Sequence, residues 1–244
     1  MKRLAVFPKV RVVVLGDLVA DHYLFGQTER ISREAPVLIV RHERDEVKLG
    51  GAANAAANAR ALGGQVTAVG VLGADEMGRA VKTLFKGQGI AVETVSARGV
   101  RTESKMRILA GGLSTSRQQM LRVDRGSVGP LPIAVRRALA LRLEQAAKRA
   151  DVVVVSDYGA GVVCDETRAV VRAIASRGVP VCVDSRFALS EFSGVTVCKP
   201  NEPELATLTG LPVGSDREVD RAAADALERL GCKVLLVTRG RKGM

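Results

Sequence analysis

Short valine-rich runs alternate along most of the chain with segments whose apolar residues recur at helical spacing. Arg11 to Leu15 and Val152 to Val155 are such runs, and they read as buried strands. Glu166 to Ser176 is typical of the helical segments. Strands that alternate with helices in this way form a parallel sheet with helices on both faces. The sequence therefore predicts an α/β fold with a mostly parallel central sheet.

Two stretches depart from this alternation. Residues 37–40 and 46–49 look like separate short strands, and residues 91–124 are β-rich with polar and apolar positions mixed. An alanine-rich helix is predicted from Gly51 to Leu62, because a glycine pair closes it. The 244 residues suit a single domain of the α/β kind.

The composition gives no sign of a membrane-spanning or secreted protein. No apolar run reaches the roughly 18 residues that a membrane-spanning helix needs. Met1 to Val10 has no apolar stretch that ends in a small-residue cleavage site. The cysteines show neither CxxC nor metal-ligand spacing, which favours reduced thiols and a cytoplasmic location. They are Cys164, Cys182, Cys198 and Cys232.

A net charge of +11 and a pI near 10 raise the question of an anionic partner. The arginines are spread over predicted helix faces, and no aromatic residues stand beside them for base stacking. This pattern argues against nucleic-acid binding. It leaves two alternatives, a solvated basic surface and a site for an anionic small molecule.

Polar residues follow the predicted strands, where ligands bind in parallel α/β sheets. Asp17 and Asp21 come after the first strand, and ionised carboxylates there can accept hydrogen bonds from sugar hydroxyls. The alternative is that one of them caps a turn. Gly50 and Gly51 open directly into a helix, with Asn54 one turn inside it. Glycines allow close approach of a ligand to the backbone, and the asparagine amide can bind a polyol; a tight turn with a solvent-facing asparagine is the alternative.

Two further groups suit phosphate. Asn201 and Glu204 follow a predicted strand, where they can orient a hydrated Mg²⁺ or nucleotide phosphates, or instead cap the next helix. Thr238 and Gly240 lie in a basic glycine-rich turn that suits polyphosphate binding but is also typical of ordinary turns. The chain contains neither the dinucleotide-binding GxGxxG motif after its first strand nor a P-loop.

In this order along one chain, these features resemble the ribokinase-like (phosphofructokinase-B) carbohydrate kinases, and within them the heptose-7-phosphate kinase branch. Gly73 to Gly78 also fits the recurrent G-x-D-x-x-G element of that superfamily. The segments that carry the resemblance are Gly16 to Tyr23 (GDLVADHY), Arg30 to Val40 (RISREAPVLIV), Gly50 to Asn58 (GGAANAAAN), Ser104 to Asp124 (SKMRILAGGLSTSRQQMLRVD), Ser156 to Gly161 (SDYGAG) and Leu235 to Met244 (LLVTRGRKGM).

The resemblance implies transfer of phosphate from ATP, with Mg²⁺, to a hydroxyl of a sugar or sugar phosphate, here heptose 7-phosphate to heptose 1,7-bisphosphate. Strands from about residues 22–49 and 100–124 would form a small β lid that closes over the sugar and mediates a homodimer. The implied substrate contacts are Asp17, Asp21, Gly50, Gly51, Asn54, Lys105, Arg107, Gln118 and Arg122. The implied nucleotide and phosphate contacts are Asp157, Asp184, Lys199, Asn201, Glu204, Thr238 and Gly240, with Asn201 and Glu204 reaching the metal through water.

The chain departs from the branch at several positions. Ala160 stands where the branch usually has lysine, Asp184-Ser185-Arg186 replaces Asp-Pro-Lys, and Lys199-Pro200-Asn201 replaces Thr-Pro-Asn. The Gly-Ala-Gly-Asp run that carries the catalytic base in the superfamily does not occur in the 244 residues. The resemblance therefore implies a base beyond Met244. The alternative is a catalytically incomplete fragment that keeps a sugar cleft and a dimerising lid.

Overall fold

A computed structural model describes residue 7, residues 9–112 and residues 116–244 of the chain. The predictions that rest on residues 1–6, 8 and 113–115 lie outside these ranges, among them most of the segment that bears on a secretory signal. Within the described ranges the strands are β1 (Arg11–Gly16), β2 (Leu18–Ile31), β3 (Leu38–Gly50), β4 (Gln65–Val71), β5 (Ala91–Val95), β6 (Glu103–Gly111), β7 (Gln118–Arg125), β8 (Val152–Asp157), β9 (Val181–Ser185), β10 (Val197–Cys198) and β11 (Val234–Leu235). The helices are α1 (Gly51–Ala61), α2 (Glu76–Gly87), α3 (Ile133–Ala147), α4 (Asp165–Ser176), α5 (Glu202–Thr209) and α6 (Asp216–Leu230).

Seven strands form one sheet, the main sheet, in the order β11-β10-β9-β8-β1-β4-β5. All of its neighbouring strands run parallel. The last strand is shorter than the valine and leucine run at 234–237 suggests, because only Val234 and Leu235 pair with β10. The predicted mostly parallel α/β sheet is confirmed.

The valines of β1 are buried on both faces of the main sheet. Val12 and Val14 pack with α1 and α2, whereas Val13 and Leu15 pack with α3 and α4. Apolar and polar residues do not alternate along such a strand, because side chains on both faces of the sheet are buried. Among the described residues, no helix is both long and apolar enough to cross a membrane.

Four strands form a second sheet, the small sheet, in the order β3-β2-β6-β7. Its two hairpins are antiparallel, and β2 joins them by running parallel to β6. The prediction of two short strands at 37–40 and 46–49 is wrong, because β3 is one strand of 13 residues. Its middle, residues 41–45, is exposed and charged, so hydrogen bonds to β2 hold it in the sheet without an apolar pattern.

The Gly73 to Gly78 element fastens the small sheet to α2. Asp75 caps α2 by accepting the Gly78 N–H at 2.8 Å, and its other oxygen accepts the Thr102 N–H at 2.8 Å, just before β6. The Thr102 hydroxyl in turn accepts the buried Gly73 N–H at 2.8 Å. A side chain at Gly78 would meet the Gly73 carbonyl oxygen at 2.2 Å, which explains the second glycine.

We expect Thr102→Val to lower the free energy of unfolding by about 1–3 kcal/mol, because the buried Gly73 N–H loses its acceptor while the shape is kept. Urea unfolding measures the change. Thr83→Val is the matched control, since the Thr83 hydroxyl only donates to the Arg79 carbonyl on an exposed helix surface. Its cost should stay within about 0.5 kcal/mol. Equal losses in the two variants would contradict a role for Thr102 at this joint.

Candidate functional site

The order in which strands are added to the main sheet reverses at β1. The next strand of this sheet, β4, lies on one side of β1, and the later strand β8 lies on the other side. Ligands of parallel α/β sheets bind beyond the carboxyl ends of the strands at such a switch point. Asp17 follows β1 directly, and Asp157 ends β8. The small sheet begins at this edge, because β2 starts one residue after Asp17. The topology therefore places the candidate site between the two sheets.

Asp17 is buried, with 1% of its surface exposed, and its carboxylate organises the loop after β8. It accepts the N–H groups of Tyr158 at 2.7 Å, Ala160 at 3.2 Å and Val162 at 3.4 Å. Burial raises the pKa of Asp17, and the hydrogen bonds from the loop oppose this shift. The structure thus gives the Asp17 side chain three backbone partners within the protein.

Asp21 lies inside β2, so it belongs to the small sheet and not to the end of the first strand. Its carboxylate occupies the space where a side chain at Gly50 would be, since a Cβ there would lie 2.5 Å from Asp21 Oδ2. Gly51 begins α1 with φ of +55°, and a Cβ there would lie 2.5 Å from the Asp17 carbonyl oxygen. The glycine pair therefore brings the start of α1 against both aspartates.

Arg107 of β6 forms an ion pair with Asp21, with Nη1 2.6 Å from Oδ1. The pKa of Arg107 is raised, first by this hydrogen bond. Lys105 stands directly opposite Asp21 on β6, and its Nζ lies 5.8 Å from the centre of the Tyr158 ring. Because Tyr158 follows β8, this contact shows that the Asp21 face of the small sheet looks toward the carboxyl edge of the main sheet. We call it the inner face.

The remaining predicted substrate residues are not all brought together. Asn54 is exposed on α1. Arg122 stands opposite Arg107 on β7 but pairs with Asp124 at 2.8 Å. Gln118 pairs with Ala110, five residues along β6 from Lys105 and hence about 17 Å away at 3.3 Å per residue. The structure therefore separates Gln118 from Asp21.

A second group of polar residues lies at the ends of β8, β9 and β10. Asp157 accepts the Gly159 N–H at 2.9 Å and the Ser185 hydroxyl at 2.6 Å. Lys199 Nζ lies 3.1 Å from Asp184 Oδ2, and both side chains are about one-third exposed. These contacts place a lysine and two carboxylates along one edge of the main sheet.

Asn201 and Glu204 form a capping box at the start of α5. Asn201 Oδ1 accepts the Glu204 N–H at 2.8 Å, and Glu204 Oε2 accepts the Asn201 N–H at 2.9 Å. Within the described ranges, no group of three or more His, Cys, Asp or Glu residues could hold a metal ion directly. Both named oxygens already accept an N–H in this cap, so a magnesium ion here would be contacted through its own waters.

The turn after β11 is held by an arginine that the sequence analysis did not single out. Arg239 Nε lies 2.9 Å from Glu202 Oε1, and its Nη2 lies 2.8 Å from Asp216 Oδ1. Thr238 bridges to Asn201, and Gly240 turns the chain with φ of +55°. Thr238 and Gly240 therefore lie beside the α5 capping box. Arg239 lies within the basic turn between Thr238 and Gly240. Its two acidic partners, Glu202 and Asp216, are distant in sequence and can be identified only from the tertiary structure.

Comparison with known proteins bears on this arrangement. The sequence pattern described as pfkB family carbohydrate kinase matches residues 9–244. The chain belongs to the pfkB family of carbohydrate kinases. It is 40% identical over 237 residues to the D-beta-D-heptose 7-phosphate kinase of Bordetella bronchiseptica, covering 97% of this chain and 73% of that protein. The family and branch inferred from the motifs are confirmed.

Two further comparisons define the extent of the likeness. The chain is 39% identical over 238 residues to the bifunctional protein HldE of Trichlorobacter lovleyi, covering 96% of the chain and 48% of HldE. It thus spans about half the length of this and similar bifunctional relatives that it matches. Arabidopsis thaliana ribokinase, solved with ribose and ATP, superposes with a TM-score of 0.69 at 22% identity, covering 96% of the chain and 72% of ribokinase. This pfkB member therefore has the predicted ribokinase-like fold.

Proposed function

We propose that the chain binds heptose 7-phosphate and ATP and serves phosphoryl transfer to the C1 hydroxyl of the heptose, giving heptose 1,7-bisphosphate. The observation that carries the proposal is the inner face, where Asp21 stands beside Lys105 and Arg107 at the carboxyl edge of the main sheet. A carboxylate there suits sugar hydroxyls, and the two cations suit a sugar phosphate. The 40% identity to a named heptose 7-phosphate kinase supports the choice of sugar.

The residues act mainly by positioning and by stabilising charge, which is most of what enzymes do in phosphoryl transfer. Asp21 and the amide of Asn54 would hold the sugar hydroxyls, with Gly50 and Gly51 keeping α1 close. Lys199, beside Asp184, would meet the nucleotide phosphates, and the Thr238 to Gly240 turn would meet the nucleotide. Asp157 would orient this edge through Ser185.

Magnesium belongs to this proposal. Asn201 and Glu204 would contact its waters, and a bound magnesium ion would neutralise part of the phosphate charge. We assign deprotonation of the acceptor hydroxyl to none of the residues named above.

A chain that binds the sugar but is catalytically incomplete is the second candidate, favoured because none of the residues named above is assigned to deprotonate the acceptor hydroxyl. Coupled ADP release with ATP, Mg²⁺ and heptose 7-phosphate separates the two, run beside calorimetry on the same 244-residue chain. The kinase proposal expects ADP release that depends on the sugar phosphate. Binding of heptose 7-phosphate without ADP release would support the catalytically incomplete chain. Absence of binding would overturn both.

The remaining expectations stay proposals. A homodimer through the small sheet is supported by exposed apolar side chains on its strands, among them Ile31 (63% exposed), Leu38 (47%) and Leu121 (55%). A cytoplasmic location is supported by the four cysteines, all of which are free.

A further inference from the structure

The carboxylate proposed to hold the sugar is already occupied in this structure. Asp21 Oδ1 lies 2.6 Å from Arg107 Nη1, and Oδ2 faces Gly50 at a distance that excludes any side chain there. The side chains of Asp21 and Arg107 are only 21% and 23% exposed. A sugar hydroxyl that binds Asp21 Oδ1 must therefore compete with a guanidinium.

This competition has different consequences for two kinds of sugar. An unphosphorylated sugar that separates the pair leaves Arg107 without a counter-charge in a partly buried place, which costs free energy. A phosphorylated sugar offers Arg107 a new anion, and guanidinium binds phosphate bidentately through its planar fork of N–H donors. Resting on the function proposed above, we propose that Arg107 makes the site selective for phosphorylated sugars by pairing with Asp21 until a sugar phosphate takes it over.

The neighbours of Arg107 are consistent with such an exchange. The Arg107 guanidinium lies 5.5 Å from the centre of the Tyr23 ring. Its hydrogen bonds to other described residues come from Nη1, which donates to Asp21 and, at 3.5 Å, to the Lys105 carbonyl oxygen, so Nε and Nη2 are left for a phosphate. Lys105, two residues earlier on β6, has no ion pair in the part of the chain that the structure describes, so it is available to the same phosphate. Lys48, on the other side of Asp21, is already engaged by Glu46 at 3.1 Å. Arg107 and Lys105 are thus the cations nearest Asp21 that a phosphate on the inner face would meet, whereas Arg122, opposite Arg107, pairs with Asp124.

Calorimetry on the 244-residue chain with heptose 7-phosphate and with the same heptose lacking the phosphate tests this proposal. In Arg107→Met, affinity for heptose 7-phosphate should fall about 10- to 100-fold, as expected for lost charged hydrogen bonds. Affinity for the unphosphorylated heptose should rise about fivefold, because its competitor for Asp21 is gone. Arg41→Met is the matched control, since it breaks the exposed Arg41–Glu29 pair at 3.3 Å and should change neither affinity.

Opposite changes in the two affinities distinguish a role of Arg107 in sugar selectivity from a role in stabilising the fold. Parallel losses for both sugars in Arg107→Met would overturn the proposal, because a merely structural arginine would weaken both. Should the methionine variant fail to fold, Arg107→Lys keeps the charge without the bidentate fork and should give smaller changes of the same two signs. Failure of the unaltered protein to bind heptose 7-phosphate would overturn the proposed function itself. That result differs from one in which the unaltered protein binds but Arg107→Met does not change the two affinities in opposite directions.

Discussion

Asp21→Ala should lower the affinity for heptose 7-phosphate at least about 100-fold, because the carboxylate is proposed to accept two sugar hydroxyls and each charged hydrogen bond is worth about 1.5–3 kcal/mol. The unphosphorylated heptose should be lost as well, which separates this variant from Arg107→Met. The fold should survive, since the Asp21–Arg107 pair is partly exposed and contributes about 1 kcal/mol or less. Isothermal calorimetry and a urea unfolding curve measure the two effects.

The control for this variant is Asp225→Ala. Asp225 pairs with Arg229 at 2.7 Å within α6, so the same chemical change removes an aspartate–arginine pair on another element. Sugar affinity should not change there. Unchanged heptose 7-phosphate affinity in Asp21→Ala would refute the assignment of Asp21 to the sugar.

The main sheet could be predicted because its central strands are buried on both faces. A run such as that of β1 has no other stable environment in a water-soluble domain. The middle of β3 could not be predicted, since residues 41–45 are charged and exposed and their place in the small sheet depends on main-chain hydrogen bonds to β2. When neither face of a strand is apolar, backbone pairing produces no alternation of apolar and polar side chains from which the strand could be predicted.

For the candidate site, the sequence suggests which residues to consider but does not predict their partners in the structure. The order of motifs selected Asp17 and Asp21 together, and nothing in their spacing shows that the chain passes from one sheet to the other between them. Because of this transition, Asp17 is buried under the loop after β8, whereas Asp21 contacts Arg107, which is 86 residues away in the sequence. Asn201 and Glu204 illustrate the opposite case, because the capping alternative follows from local spacing and the structure shows both of its hydrogen bonds.

Asp17→Ala should destabilise the protein by about 3 kcal/mol, and we expect this to exceed the cost of the other substitutions proposed here. The three N–H groups of the 158–162 loop would lose their acceptor, and at least that of Val162 is buried. Asp17→Asn keeps the shape and one oxygen acceptor, so its cost should be smaller, about 1–2 kcal/mol. Urea unfolding of both variants measures the difference; equal and small losses would show that the loop does not depend on this carboxylate.

The pH dependence of stability provides a second measurement at Asp17. Because burial raises its pKa above 3.8, the folded protein keeps the proton at pH values where the unfolded chain has lost it. Folded Asp17 thus contributes fully below the unfolded pKa of about 3.9, and its contribution decreases as the pH rises through the raised folded pKa. Asp17→Asn should remove part of this decline. The remainder belongs in part to Glu103, whose pKa burial also raises, so Glu103→Gln should flatten the curve further. An identical slope in Asp17→Asn and in the unaltered protein would mean that the proton is not held at Asp17.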